Sequence, residues 1–180
     1  MKKKQSRDLV IDASVARASG GEGAAHPTAA ATRDFLQAVL TICHKAVMTP
    51  AVRDEWDKHQ SNFARKWRSS MVARKKLKLL NLEEREDLRH QIELENIPRM
   101  QKNAMLKDCH LIEAAIMTGR SIIALDIAAR NLFGEASENI LEIQNILWIN
   151  PTTDQEHVMA WLEGAADQAD WQLGYNFTDR

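Results

Sequence analysis

Four acidic side chains stand at positions where one site could gather them. Asp12 and Asp126 each follow a short apolar run, whereas Glu55 and Asp108 lie near the starts of apparent helices. In an open parallel sheet, the carboxyl ends of the strands and the helix starts that follow them share one edge, where ligands bind. Carboxylates collected there repel one another unless a hard cation such as Mg²⁺ or Mn²⁺ holds them. The pattern therefore predicts a metal site.

The segments that would position these acids alternate between strands and helices. Short apolar runs predict four strands, at residues 8–12, 46–49, 121–125 and 146–149. Apolar residues at helical spacing predict helices over residues 33–43 and 83–95 and from residue 103 onward. We expect two helices after the third strand, over 127–134 and about 135–145, and one or two more over 153–173. Thr49 followed by Pro50 predicts a long helix running toward residue 78. This alternation favours a single α/β domain, with a central parallel sheet of about four strands flanked by helices.

Composition limits the class of protein. Of the 180 residues, 44% are hydrophobic and 27% charged, which is ordinary for a globular domain. Two cysteines are too few for a disulfide framework and favour a reducing compartment. No stretch approaches the roughly 20 apolar residues that span a bilayer. We therefore expect a cytoplasmic protein with no membrane segment.

Charge is distributed unevenly along the chain. Residues 1–134 carry 23 Lys and Arg against 16 Asp and Glu, whereas residues 135–180 carry one Arg against nine acids. A basic segment, residues 58–82, contains no acid. Clustered Lys and Arg neutralise phosphates, and an aromatic ring among them can stack on an unpaired base. The RNA contacts predicted in this segment are Arg65, Lys66, Arg68, Arg74, Lys75 and Lys76.

The aromatic residues in and beside the basic segment have a second interpretation. Trp56, Phe63 and Trp67 are separated by seven and four residues, which is helical spacing and favours core positions over base stacking. The basic side chains would then either contact nucleic acid or only face solvent, and charge alone leaves both open.

Four short motifs occur in an order that resembles the PIN domain, a small α/β nuclease fold that includes the VapC-type toxins of bacterial toxin–antitoxin pairs. Asp-x-Ser follows the first strand, Pro-x-x-x-x-Glu follows the second, a helical Asp precedes an Ile/Ala-rich turn, and Leu-Asp follows the third strand. These motifs are Asp12-Ala13-Ser14, Pro50 to Glu55, Asp108 to Ala115 and Leu125-Asp126. The resemblance covers about residues 8–150, and it is the order of the motifs that makes it specific.

The resemblance implies a divalent-metal-dependent endoribonuclease. Asp12, Asp108 and Asp126 would hold one or two Mg²⁺ or Mn²⁺ ions, Glu55 would bind a second ion, position a water or orient a neighbour, and Ser14 would hydrogen-bond within the cluster. It further implies an antitoxin partner and a homodimer. The expected organisation is a PIN-like domain over residues 1–150, including a basic helical arm over 56–95, and an acidic helical extension over 151–180 packed on the same domain.

Other functions stay open at this point. Ala124 and Ala128 stand where PIN proteins often carry a Ser or Thr and a further acid, so the chain could be a degenerate PIN-like module that binds RNA or protein without cutting. Phosphate and metal chemistry do not separate RNA from DNA. A phosphohydrolase using Asp12 as nucleophile is disfavoured, since Ser14 replaces its usual second Asp, and a receiver domain is disfavoured because only Asp8 precedes Asp12 closely.

Overall fold

The computed structural model describes residues 6–21 and 23–175. The predictions that touch residues 1–5 and 176–180 lie outside the described residues. Five strands are present in this part of the chain: β1 (Asp8–Ile11), β2 (Lys45–Met48), β3 (Leu77–Leu79), β4 (Ser121–Ile123) and β5 (Leu147–Ile149). Eight helices accompany them among the described residues: α1 (Ala13–Ala18), α2 (Pro27–Ile42), α3 (Pro50–His59), α4 (Asn62–Ala73), α5 (Glu86–Leu94), α6 (Arg99–Ile116), α7 (Ile127–Ala136) and α8 (Gln155–Leu162).

The strands form one all-parallel sheet in the order β3-β2-β1-β4-β5, flanked by helices. The predicted α/β class and single domain are thus confirmed, with five strands instead of about four. β1 lies in the middle, β2 and β3 extend the sheet on one side, and β4 and β5 extend it on the other. The direction of winding reverses between β1 and β4, and in open parallel sheets the crevice at the carboxyl end of such a reversal is where ligands bind.

The long helix expected from Pro50 toward residue 78 is wrong. Thr49 does cap α3, accepting a hydrogen bond from the Val52 N–H at 3.2 Å, but α3 ends at His59. The backbone is extended at Gln60, and the Ser61 hydroxyl caps a new helix, α4. Because Lys75 then takes a positive φ of 56°, the chain reverses into β3, an edge strand that apolar runs did not predict.

The aromatic residues of this region belong to the core, as their spacing predicted. Trp56 and Trp67 are buried, with ring centroids 5.7 Å apart, and Phe63 packs against the core while partly buried. The indole N–H of Trp67 donates to the Leu36 carbonyl at 2.6 Å and so joins α4 to α2. These rings are therefore not available for stacking on bases.

The acidic C-terminal region packs back onto the start of the chain. Trp161 and Trp171 meet edge to face, with ring centroids 5.8 Å apart. The guanidinium of Arg7 lies 4.3 Å from the centre of the Trp161 ring, a cation–π contact. Leu173 N–H donates to the Ile146 carbonyl just before β5. Within residues 6–21 and 23–175, no helix is both long and apolar enough to cross a membrane.

The buried position of Trp67 predicts a large effect on stability. Trp67→Ala should lower the free energy of unfolding by about 3–5 kcal/mol, because it leaves a cavity beside Trp56 and removes the hydrogen bond to Leu36. Val72→Ala on the same helix, where the side chain is 58% exposed, should change it by less than about 0.5 kcal/mol. Urea denaturation of the two variants measures the contrast. Equal and small effects would mean that Trp67 is a surface residue.

Candidate active site

Two of the predicted acids lie at the carboxyl ends of β1 and β4, where the winding of the sheet reverses. Asp12 directly follows β1, and its N–H donates to the Ile123 carbonyl at the end of β4. Asp126 follows β4 and precedes α7. The Ser14 hydroxyl accepts a hydrogen bond from Leu125 N–H at 3.2 Å, so it ties the loop after β1 to the loop after β4. Ser14 thus fixes the spacing between the two segments that carry the acids.

Both aspartates also cap helices. Asp12 Oδ2 accepts from Ser14 N–H at 3.0 Å at the start of α1, and Asp126 Oδ1 accepts from Ala129 N–H at 2.8 Å at the start of α7. Capping orients each carboxylate at the start of its helix. In each case the hydrogen bond uses one carboxylate oxygen, so a helix cap and a ligand role are compatible in the same side chain.

Glu55 is positioned by the helix that follows β2. The neighbouring Trp56 donates from its indole N–H to the Ile11 carbonyl at 2.8 Å, which fastens α3 to the end of β1. Glu55 Oε1 lies 3.2 Å from Lys58 Nζ, and Oε2 lies 3.5 Å from His59 Nε2. Partial burial raises the pKa of Glu55, but the hydrogen bond and charge of Lys58, together with His59, outweigh it and leave the pKa lowered. Glu55 is therefore ionised at neutral pH.

Asp108 comes from α6, beside the buried stripe that packs this helix on the sheet. Met105, Cys109 and Ile112 form that stripe and are buried, whereas Asp108 is half-buried at its edge. Burial, followed by the negative charges of Asp12 and Asp126, raises the pKa of the Asp108 carboxyl, against smaller opposing effects of His110 and Lys107. Asp108 thus lies close enough to Asp12 and Asp126 for their charges to act on it.

The structure brings the predicted acids together. Asp12, Glu55, Asp108 and Asp126 line one cleft of about 540 Å³, and Ser14 lines it with them. They come from four different elements of the fold, so only the tertiary structure could join them. This cleft opens at the carboxyl edge of the sheet, where the arrangement of strands predicts a ligand site.

The chemistry of the acids fits a hard divalent cation, but their placement is incomplete. Carboxylate oxygens are the ligands that Mg²⁺ and Mn²⁺ prefer, and the repulsion that raises the pKa of Asp108 is what a bound cation would relieve. In the part of the chain that the structure describes, however, no three His, Cys, Asp or Glu side chains are arranged so that they could hold a metal ion. The acids therefore share a cleft without forming a finished ligand shell.

The six basic residues predicted to contact RNA lie elsewhere. None of them lines the cleft, which takes only Lys58 and His59 from the basic segment. Some of them are engaged within the fold: Arg68 pairs with Asp57 at 2.6 Å, and Arg74 donates to the Leu40 carbonyl at 3.3 Å. The prediction that this segment binds RNA stays a prediction.

Sequence reasoning missed a buried ion pair beside the cleft. The carboxylate of Glu113, on α6, is buried and accepts hydrogen bonds from Arg89 Nε at 2.9 Å and from the Arg85 N–H at 2.9 Å. Cys109 lies one turn earlier, and burial, with Glu113, raises the pKa of its thiol to about 12. The thiol is therefore protonated at neutral pH and is neither a nucleophile nor a zinc ligand in that form. The i, i+4 spacing of Cys109 and Glu113 was the available signal.

Two polar atoms in the cleft wall have no partner. Trp148 is 3% exposed and lines the cleft, and its indole N–H makes no hydrogen bond. His110 Nδ1 lies 2.9 Å from the Lys107 carbonyl and so carries the proton, which leaves Nε2 as an acceptor that is likewise buried and unpaired. Only one other buried side-chain atom in the described part of the chain, Gln60 Oε1, lacks a partner. Buried groups without partners are rare and concentrate at functional sites.

Comparison of this chain with protein-family models, with curated proteins and with solved structures finds no significant match.

The raised pKa of Asp108 predicts a pH-dependent stability. The folded protein holds this proton to a higher pH than the unfolded chain does, so Asp108 makes folding less favourable as the pH rises through its raised pKa. Asp108→Asn carries no such charge. The free energy of unfolding of Asp108→Asn minus that of the parent should therefore increase as the pH rises from about 4 to about 8. Urea denaturation in EDTA measures this difference.

Asp34→Asn is the control for that measurement, since Asp34 is exposed on α2 and does not line the cleft. Its stability relative to the parent should show no comparable rise with pH. A constant difference between Asp108→Asn and the parent across the pH range would mean that the pKa of Asp108 is not raised in the folded protein.

Proposed function

We propose that this chain is a divalent-metal-dependent endoribonuclease of the PIN type, which hydrolyses phosphodiester bonds of RNA. The observation that carries the proposal is the convergence of Asp12, Glu55, Asp108 and Asp126 in one cleft at the winding reversal of an all-parallel sheet. Ser14, the fifth residue of the resemblance, lies in the same cleft.

Each residue has a role that its surroundings support. Asp12, Asp108 and Asp126 would hold the Mg²⁺ or Mn²⁺, which when bound would polarise the scissile phosphate and lower the pKa of a water. Glu55 is held ionised by Lys58 and His59, so it can accept a hydrogen bond from the attacking water and orient it. Ser14 positions rather than reacts, because its hydroxyl accepts the hydrogen bond that joins the two acidic loops.

A second candidate function is a PIN-like module that binds RNA or protein without cutting. Two observations favour it: the described acids do not form a finished ligand shell, and Ala124 is buried with no side-chain oxygen to offer. Ala128 likewise supplies no acid two residues after Asp126. For the nuclease, the biological setting that the resemblance suggests is a cytoplasmic toxin with an antitoxin partner, acting as a homodimer.

Cleavage of RNA with and without metal tests the proposal. The purified protein should cut mixed cellular RNA into discrete fragments with Mn²⁺ and not with EDTA. Asp12→Asn and Asp126→Asn should each slow cleavage on the order of 10²-fold or more, the size of effect seen when one group that stabilises the transition state is removed. Asparagine retains the capping oxygen at both positions, so these variants should stay folded.

Asp34→Asn should cut at the parental rate and so serves as the matched control. The proposal is wrong if Asp12→Asn and Asp126→Asn cut as fast as the parent. Calorimetric titration with Mn²⁺ separates the two candidate functions, because the binding module should take up no Mn²⁺ that depends on Asp126, whereas the nuclease should.

A further inference from the structure

Six basic side chains line the acidic cleft: Arg17, Lys58, His59, Arg89, Lys107 and His110. Most of them are already engaged. Lys58 and His59 pair with Glu55, Arg89 pairs with the buried Glu113, and His110 hydrogen-bonds to a carbonyl of its own helix. These contacts hold the walls of the cleft and leave little charge for a ligand.

Arg17 and Lys107 differ from the other four. Both are exposed, and within the described part of the chain neither makes an ion pair or a side-chain hydrogen bond. They come from separate elements, Arg17 from the last turn of α1 and Lys107 from α6, next to Asp108. The charge of Lys107 lowers the pKa of both Glu55 on α3 and Asp108, so it acts across the cleft without being neutralised by either acid.

The cleft presents an electrostatic conflict to any nucleic acid. Its acids repel the phosphates that must approach them, and a metal ion offsets that repulsion only at the phosphate it contacts. Phosphates on either side need cations of their own, and these must be unpaired and exposed to be available. Arginine offers a planar pair of donors to a phosphate, and lysine offers a mobile point charge.

An independent observation indicates that this cleft takes a ligand. Trp148, nine-tenths or more buried, lines it with an indole N–H that has no partner, and a buried donor of this kind destabilises the protein until it is satisfied. An oxygen-rich ligand supplies the acceptors that such a donor lacks. A nucleotide backbone is a ligand of that chemistry.

We propose that Arg17 and Lys107 bind the two phosphates that flank the scissile phosphate, so that single-stranded RNA crosses the cleft from α1 to α6. The inference rests on the proposed function, because it assigns the path of the substrate through that same site. The sequence predicted other RNA contacts, in the basic segment from Arg65 to Lys76. In the structure none of those predicted contacts lines the cleft. The two paths make opposite predictions for charge-neutralising variants.

The test compares three double variants that each remove two positive charges. Arg17→Gln/Lys107→Gln alters the proposed contacts, and Lys75→Gln/Lys76→Gln alters the basic segment. Lys45→Gln/Arg99→Gln is the control, since neither residue lines the cleft. Lys45 is the first residue of β2 and so lies at the amino ends of the parallel strands, whereas the cleft lies at their carboxyl ends. All six side chains lie at least partly at the surface, and thermal unfolding checks that each variant is folded.

Binding of a labelled single-stranded RNA is measured in EDTA by fluorescence anisotropy over a range of salt concentrations. Removing one phosphate-binding charge should reduce the slope of log affinity against log salt by about 0.7, so Arg17→Gln/Lys107→Gln should reduce it by about 1.4. The control and the Lys75/Lys76 variant should keep the parental slope. In Mn²⁺, Arg17→Gln/Lys107→Gln should raise KM for RNA cleavage by about 10-fold or more, since removing each charge weakens substrate binding.

The outcomes separate this inference from the proposed function. If the parent binds RNA and Arg17→Gln/Lys107→Gln reduces the salt slope as predicted, but the parent never cuts RNA, the proposed nuclease is wrong and the proposed RNA path stands. A parent that cuts while Arg17→Gln/Lys107→Gln retains the parental slope and KM would overturn the path and keep the nuclease. A reduced slope confined to Lys75→Gln/Lys76→Gln would overturn the path in favour of the basic segment. A parent that binds no RNA would overturn the path as well.

Discussion

The half-buried carboxylate of Asp108, on which the negative charges of Asp12 and Asp126 act, is the constraint on which the rest of the site depends. Burial first, and then the charges of Asp12 and Asp126, raise the pKa of Asp108, so its ionised form makes folding less favourable. Asp12 and Asp126 themselves contribute to stability by capping α1 and α7. A ligand of opposite charge would stabilise the ionised Asp108, and we therefore propose metal-assisted chemistry for the cleft.

The rest of the structure holds these charges in place. Trp56 fastens α3 to the end of β1 through the Ile11 carbonyl, and Ser14 joins the loops after β1 and β4. The buried pair of Arg89 and Glu113 binds the segment around α5 to α6. Because each acid is carried by a rigid element or its first turn, the cleft is largely formed before any ligand arrives, as active sites require.

Local patterns predicted much of the fold. Apolar runs located β1, β2, β4 and β5 because these strands are buried, even though β5 lies at an edge, and buried parallel strands read as continuous hydrophobic stretches. They missed β3, since Leu77–Leu79 lies at the edge of the sheet and is only partly buried. The break between α3 and α4 was also missed, because the Ser61 cap interrupts a stretch whose helical spacing continues across it. A capping serine is a weaker signal than the apolar period around it.

The sequence by itself determined the α/β class, the acids that end β1 and precede α7, and the buried Trp56 and Trp67, because these follow from apolar periodicity and local capping. The order of the motifs indicated which acids share a site, whereas tertiary structure alone decided which cations around them remain unpaired. The physical reason is that strand order and helix packing set distances between residues far apart in the chain. Thus Glu113 became a buried ion-pair partner, while Lys107 on the same helix stayed exposed beside Asp108.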